Sequence, residues 1–246
     1  KGQCIGGCGS GDIKQSTNVG CDYWAVDLDN HYDAQNGPFA VIISNLSDTG
    51  SEISIYSKDS TGAQEVEVVK KTVAPGQLEI FELPQRHPSG SSISWSAYRV
   101  KASAPIIAYQ FNPLDNVDVF SNDASLLLPS NTYGTEYIIM SRAELQGGGP
   151  EIPLFESCQV ICGQIEGGYC QPNPGDPFGG EYCVVPYRGT MSVMAANPDT
   201  HVTIVSSANT LGGLGVPAMQ TGQSYEFTLQ PFQVLNIKTD QDLADL

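Results

Sequence analysis

Apolar and polar side chains alternate in short runs along much of this chain. The alternation is clearest in residues 51–56, 77–83 and 225–229, where every second side chain of an extended strand would face a core. Two other runs, 40–43 and 106–109, are apolar on both faces, as expected for central strands or for a contact between modules. No segment shows a convincing helical period of 3.6 residues. The pattern therefore predicts an all-β protein.

The same order of strand signals occurs twice along the chain. The first series reads CDYWAVDL, PFAVIISN, EISIYS and GQLEIFEL, and the second reads TEYIIMS, TMSVMAAN, HVTIVS and GQSYEFTL. We interpret this as an internal repeat, although the strands of any all-β chain can resemble one another by chance. The repeat predicts two tandem β-sandwich-like modules, residues 18–134 and 135–246. Residues 1–17 are then a Cys/Gly-rich linker from an upstream region.

The second module ends earlier than the first. After GQLEIFEL the first module continues through SWSAYRVKAS, APIIAYQFN and DASLLLPS, whereas the second stops at QDLADL soon after GQSYEFTL. A sandwich that lacks its closing strands has an unpaired sheet edge. We therefore expect the second module to be incomplete. Its missing strands would come from a longer parent protein, which we favour, or from a neighbouring molecule.

Charge and composition narrow the classes of partner. Lys and Arg number 11 against 27 Asp and Glu, which gives a net charge of −16. Such a chain is not expected to bind nucleic acid or an anionic membrane surface. No apolar run approaches the roughly 18 to 20 residues that span a bilayer, so we expect no membrane insertion.

Cysteine usage indicates disulfides and an exported protein. The spacings C-x3-C, C-x7-C and C-x12-C in the downstream cluster differ from the paired C-x-x-C of zinc sites. Four cysteines allow three pairings among themselves, and the odd cysteine of the upstream cluster needs a partner elsewhere or stays free. The downstream cluster lies in an insertion at residues 143–188. The cysteines are Cys4, Cys8, Cys21, Cys158, Cys162, Cys170 and Cys183.

The disulfide-bonded insertion is the best candidate for a recognition surface, because long loops in compact domains are commonly functional. The alternative is a stapled loop that only covers a sheet edge. Aromatic side chains supply much of the contact area of protein interfaces. The candidate contact residues are Tyr32, in a loop of the first module, and Tyr169, Phe178 and Tyr182 in the insertion.

Catalytic chemistry has little support in the sequence. The three histidines lie in three unrelated loop or turn contexts, and G-x-S-x-G, H-E-x-x-H and phosphate-binding glycine loops are missing. We therefore predict that the protein is not an enzyme. Calcium is the metal that the aspartates would suit, because Asp27 and Asp29 would share a face if the strand before them persists that far. The alternative is that these aspartates cap turns.

Three stretches resemble the IgGFc-binding protein N-terminal domain family, with bacterial members most similar. They are GCDYWAVDLDN at 20–30, AQNGPFAVIISN at 34–45 and AYQFNPLDNVDVFSNDASLLLPS at 108–130, within a resemblance that spans roughly residues 18–246. The resemblance implies a large secreted or surface-attached protein with Cys-rich repeats upstream, to which KGQCIGGCGSG is similar. It also implies further strand-like sequence beyond Leu246. Antibody binding, which gives the family its name, belongs to an animal mucus protein and is not expected here.

The sequence thus predicts a non-enzymatic extracellular or cell-surface adhesion or interaction protein, part of a larger secreted chain. Its partners would be proteins or glycans at the cell surface or in the extracellular matrix. The alternative is a structural subunit of an extracellular filament or polymer, in which copies of the chain join by β-strand complementation. No cofactor is expected unless calcium is bound.

Overall fold

The computed structural model describes residues 8, 18–30, 37–114, 122–141, 158–163, 169–172, 179–184 and 188–240. Within these ranges strands predominate and helix is limited to one short α-helix and one 3₁₀ turn, which confirms the all-β class. The helix is α1 (Cys158–Cys162). The strands are β1 (Gly20–Val26), β2 (Phe39–Asn45), β3 (Ser51–Lys58), β4 (Glu65–Val73), β5 (Leu78–Leu83), β6 (Ser92–Ser94), β7 (Ala97–Phe111), β8 (Ala124–Leu126), β9 (Tyr169–Pro172), β10 (Glu181–Val184), β11 (Thr190–Met194), β12 (Thr200–Val205), β13 (Ser224–Leu229) and β14 (Val234–Lys238).

The long strand β7 organises the first unit, which we define as β1 to β5 with β7 and β8. Its 15 residues form one continuous strand where the sequence indicated two. Ile106 pairs with Gly20 of β1 and with Asn45 of β2, so β1 and β2 lie on opposite sides of β7. Strand β3 pairs with the first half of β7, and β8 with its end. Strands β4 and β5 complete the sheet as the outer neighbours of β3 and β2.

Alternation along β7 builds the core of the first unit. Tyr98, Val100, Ile106 and Ala108 occupy even positions and are fully buried, because successive side chains of a strand point to opposite faces. They contact apolar residues of β1, β2, β3 and β5. This core contains Tyr23, Ala25, Phe39, Val41, Ile43, Ile53, Ile55, Val73, Phe81, Leu83, Tyr98, Val100, Ile106, Ala108 and Leu127.

The second unit, defined as β6 with β11 to β14, has its own smaller core. Strand β14 lies between β11 and β6, and β12 pairs with β13. The core is formed by Ala195, Ile204, Val216, Met219, Phe227, Leu229, Leu235 and Ile237. Strand β6 precedes residue 134 in the sequence yet pairs with β14. The boundaries of the sequence modules stay predictions. β6 lies within the first predicted module but pairs with a strand of the second.

An apolar seam joins the two units. Trp24 of the first unit meets Phe232 of the second edge to face, with ring centroids 4.8 Å apart, an arrangement that aromatic pairs favour. Both side chains are buried, and Ala97 and Val234 complete this cluster. A backbone hydrogen bond supports the seam, since the Ala97 N–H of β7 donates to the Phe232 carbonyl at 3.2 Å.

Three sequence expectations need correction. The strand predicted at TEYIIMS (135–141) is wrong, because the segment has no strand pairing and leaves Ile138 96% and Met140 92% exposed. High β-propensity does not make a strand without a neighbour to bond. Strand β4 was not anticipated, because most of its side chains are exposed and its apolar pattern is weak. Helix α1 is a single turn, too short to show a helical period.

Candidate interaction surface

Two disulfides join the β9–β10 hairpin to helix α1. Cys170 and Cys183 stand opposite each other in the hairpin. Cys170 bonds Cys158 and Cys183 bonds Cys162, which selects one of the three pairings that the sequence leaves open. Cys158, Cys162 and Cys183 are buried and form a small core of their own. The insertion is therefore held by covalent bonds rather than by a large apolar core.

The remaining cysteines lie upstream of the insertion. Cys8 bonds Cys21 at the first residues of β1, and Cys4 lies outside the described residues. The sulfur atoms of Cys158, Cys162 and Cys170 lie within 4.8 Å of one another, a spacing that a metal ion could use. All three sulfurs belong to disulfides. They therefore lack the thiolate that binds metal.

The outer face of the hairpin carries a bridged pair of tyrosines. Side chains alternate along a strand, so Tyr169, Gln171 and Tyr182 point away from the cysteine face. The Tyr182 hydroxyl donates to Gln171 Oε1 at 3.0 Å, and Gln171 Nε2 donates to the Tyr169 hydroxyl at 3.3 Å. We call these three residues the Tyr–Gln–Tyr face.

The Tyr–Gln–Tyr face is accessible and preorganised. Tyr169 is 45% exposed and Tyr182 38%, so both rings reach solvent. The disulfides fix the backbone and the Gln171 amide restrains both hydroxyls, which reduces the entropy lost on binding. Tyrosine offers a large contact area, a polar tip and few rotatable bonds. Such a face suits recognition of another macromolecule.

The sequence identified two of these three residues. Tyr169 and Tyr182 come together on one face, whereas Tyr32 and Phe178 lie outside the described residues. Gln171 was missed. Its position one residue after Cys170 could have revealed it, because neighbours of a buried cysteine in a strand point to the opposite face.

Asp27 and Asp29 each have a protein partner. Strand β1 ends at Val26, so neither aspartate lies within the strand that was expected to place both on one face. The Arg86 backbone N–H donates to Asp27 Oδ2 at 2.7 Å, and Lys238 Nζ lies 2.7 Å from Asp29 Oδ2. Burial raises the pKa of the Asp27 carboxyl, and the Arg86 N–H partly offsets this rise. Calcium binding stays a prediction, and an ion at Asp29 would compete with the Lys238 ammonium.

A small polar cleft beside Asp29 is built by amide side chains. Asn112 Nδ2 donates to the Leu28 carbonyl at 2.7 Å, and Asn30 Nδ2 donates to the Asn112 carbonyl at 3.0 Å. Because these two bonds tie the segment after β1 to Asn112, they fix the geometry of that segment. The cleft is lined by Leu28, Asp29, Asn30, Gln110, Asn112, Asp123 and Ser125.

Two of the three histidines are described and occupy different units. His87 Nδ1 lies 3.8 Å from Asp27 Oδ2, and the exposed His201 Nδ1 bonds Thr228 Oγ1 at 3.2 Å. Neither bonds a serine or cysteine side chain among the described contacts. In the part of the chain that the structure describes, no helix is long and apolar enough to cross a membrane.

Comparisons with known proteins bear on the second half of the chain. The model of the family described as IgGFc binding protein matches residues 123–246, which include β8 to β14 and the stapled hairpin. No curated protein matches the chain, and no solved structure does. The family match covers half of the chain, whereas the motifs at 20–30 and 34–45 lie before it. On this evidence the chain belongs to the IgGFc binding protein family.

Proposed function

We propose that this chain is a non-enzymatic extracellular or cell-surface interaction protein that binds another protein through the Tyr–Gln–Tyr face. The exposed, hydrogen-bonded tyrosine pair on a disulfide-held hairpin carries the proposal. Rigid, accessible tyrosines recur as anchors of protein interfaces. Membership of a family described as a binding protein supports a protein partner.

The disulfides and the charge refine this proposal. Three disulfides within one chain are typical of an oxidising compartment such as the cell exterior. The net charge of −16 favours a partner with a basic surface, because complementary potentials speed association and suppress wrong partners. Adhesion to a surface or matrix is the role that best combines these properties.

A comparison of matched baits tests the proposal. The whole chain, a Tyr169→Ser/Tyr182→Ser double variant and a Tyr137→Ser control are immobilised and exposed to extracellular proteins and to a glycan array. Tyr137 is a suitable control because it is 66% exposed and remote in sequence from the hairpin. We expect a protein retained by the whole chain and the control, and lost from the double variant.

Other outcomes of this experiment would contradict the proposal. Retention of the same protein by all three baits would remove the Tyr–Gln–Tyr face as the contact. Retention of glycans alone would replace the protein partner with a carbohydrate, which tyrosine rings also contact. Release of products from labelled polysaccharides incubated with the soluble chain would contradict the non-enzymatic role.

A second candidate function, a filament subunit, rests on sheet edges of the second unit. Strands β11 and β12 each pair with one described neighbour, and an unpaired edge can accept a strand from another copy. Electron microscopy of the purified chain at increasing concentration tests this role. Filaments would favour it, and dispersed particles would count against it.

A further inference from the structure

One lysine–aspartate pair connects the two units in a buried position. Lys238 is the last residue of β14, and Asp29 lies in the segment after β1. Lys238 Nζ lies 2.7 Å from Asp29 Oδ2, and the two side chains are only 12% and 5% exposed. Among the ion pairs of the described residues, no other has both side chains so deeply buried. The amine and the carboxyl group therefore meet where little water reaches them.

The backbone is fixed on both sides of this contact. The Lys238 N–H donates to Ser91 Oγ at 3.0 Å, and the Lys238 carbonyl accepts from the Leu211 N–H at 2.9 Å. On the other side, Asn112 bonds both the residue before Asp29 and the residue after it. The two side chains are thus held within reach of each other. Reacting groups that are well oriented in this way reach effective molarities of about 10⁵ to 10⁸ M.

Burial penalises the ionic form of the pair. Charges that are withdrawn from water lose hydration, which their mutual attraction does not always repay. Asp29 Oδ2 is itself shielded from solvent. An amide formed from the same two groups carries no charge and needs only ordinary hydrogen bonds. Because a desolvated lysine amine is also an activated nucleophile, this site favours condensation of the two groups.

We propose that Lys238 and Asp29 form an isopeptide bond, a covalent amide that joins β14 of the second unit to the segment after β1 in the first. Lys238 Nζ attacks Asp29 Cγ, an N–C bond forms, and one C–O bond of the carboxyl group breaks. Two hydrogens of the ammonium leave with that oxygen as one water molecule. The ammonium and the carboxylate thus become a neutral amide without an oxidant, a reductant or any other reactant. This bond is separate from the Tyr–Gln–Tyr face and does not depend on it.

The amide gives the chain a covalent connection that its described disulfides do not provide. Those three disulfides join residues no more than 21 positions apart, whereas the amide joins residues 29 and 238, which belong to different units. Thiols do not cleave an amide, so the connection persists when the disulfides are reduced. A protein that adheres to a surface would benefit from this bond, because a pulling force could not separate the two units.

The intact mass of the whole chain tests the proposal. The folded protein is incubated until its mass is constant, and it is then denatured, reduced and analysed by mass spectrometry. We expect a mass lower than that of the linear sequence by one water molecule. Protease digestion should release a branched peptide in which residue 238 is joined to residue 29. The full linear mass, or a loss of water located elsewhere in the chain, would overturn the proposal.

An exposed ion pair provides a matched control in the same digest. Lys70 Nζ lies 2.8 Å from Glu52 Oε1, but the two side chains are 47% and 54% exposed. The contact distances are nearly equal, so burial is the difference between the two pairs. We expect residues 70 and 52 in separate peptides. Equal linkage at both pairs would overturn the argument from burial.

Conservative variants separate the amide from the ion pair. Lys238→Arg keeps a positive charge beside Asp29, but its guanidinium stays protonated and does not attack the carboxyl group. This variant should have its full linear mass and a lower melting temperature, because the amide closes a long loop of the unfolded chain. Lys70→Arg is the control and should keep both the loss of water and the melting temperature. Circular dichroism checks that both variants fold. Loss of one water molecule from a folded Lys238→Arg variant would overturn the proposal, and the mass of the unaltered chain decides if this variant does not fold.

Discussion

The first unit surrounds a long central strand, whereas the described part of the second unit has no strand of comparable length. In the first unit β7 contributes alternate side chains to the core from Tyr98 to Ala108 and bonds four other strands. In the second unit the described sheets have three strands and two strands. Ile53 of β3, beside this central strand, is fully buried, whereas Val202 of β12 is only partly buried.

The β9–β10 hairpin is stabilised in a third way, different from that of either unit. Strands β9 and β10 are four residues each, too short to bury a large apolar face. Two disulfides replace that burial, because closing loops covalently restricts the unfolded chain. The hairpin can therefore leave Tyr169 and Tyr182 exposed without losing its shape.

The largest expected effect is at the seam between the units. Phe232→Ala should lower the free energy of unfolding by about 3 to 5 kcal/mol, because it removes a buried ring that packs on Trp24. Urea denaturation followed by tryptophan fluorescence measures this loss. Phe232→Gly is the matched comparison, since φ is 74° here and glycine adopts that angle without steric cost. It should be about 1 kcal/mol more stable than Phe232→Ala. Equal stability of the two variants would contradict the strain at this turn.

The second effect measures how much the burial of side chains beside β7 contributes to the free energy of unfolding. Ile53→Ala in β3 should cost about 2 to 5 kcal/mol, because the side chain is fully buried and truncation leaves a cavity. Val202→Ala in β12 should cost about 1 kcal/mol, since that side chain is already partly exposed. Denaturation of both variants under one set of conditions gives the comparison. Equal losses would mean that the core of the second unit is as closed as that of the first.

The third effect tests whether the stability of the stapled hairpin is independent of the stability of both units. Replacing Cys162 and Cys183 together by serine should destabilise the hairpin by about 2 to 4 kcal/mol. Amide exchange should accelerate in β9 and β10, while β3 and β12 keep their protection, because their cores lack this disulfide. Hydrogen exchange with residue resolution measures both regions at once. Equal acceleration in β12 would show that the hairpin supports the second unit.

Sequence patterns predicted the strands whose apolar residues face a core, because the alternation of side chains can be recognised within a single strand. β3, β5 and β13 carry enough alternation to be recognised without their neighbours. Strand β4 was missed because its stability comes from pairing with β3 rather than from burial. The strand predicted at 135–141 is wrong for the opposite reason: the segment is apolar but pairs with none of the described strands. The pairing of β6 with β14 depends on residues about 140 positions apart in the sequence, which no local pattern encodes.

The candidate site was also predicted only in part from the sequence. Cysteine spacing predicted disulfides and the region of the recognition surface, because both follow from residue identity. The pairing and the Gln171 bridge depend on the hairpin register, which the sequence does not display. Asp27 and Asp29 are a second example. The sequence identifies their carboxylates as possible metal ligands, but it does not show that the Lys238 ammonium lies beside Asp29.

The smallest expected effect is a pH dependence just after β1, where Asp27 lies beside Arg86 and His87. Burial, the main cause, raises the pKa of Asp27 above its ordinary value of 3.8. The folded protein therefore binds this proton more tightly than the unfolded chain does. Its stabilising contribution is complete below the unfolded pKa and is lost as pH rises through the folded pKa.

Asp27→Asn isolates this contribution, because asparagine still accepts the Arg86 N–H through Oδ1 but does not ionise. From about pH 3.5 to about pH 7, the unaltered chain should lose stability relative to Asp27→Asn. Urea denaturation across this range measures the difference. His87, 3.8 Å away, attracts the carboxylate when protonated and opposes the trend at the acid end, so the comparison is repeated in a His87→Gln background. A difference that stays constant with pH in that background would show that Asp27 is as well solvated in the folded protein as in the unfolded chain.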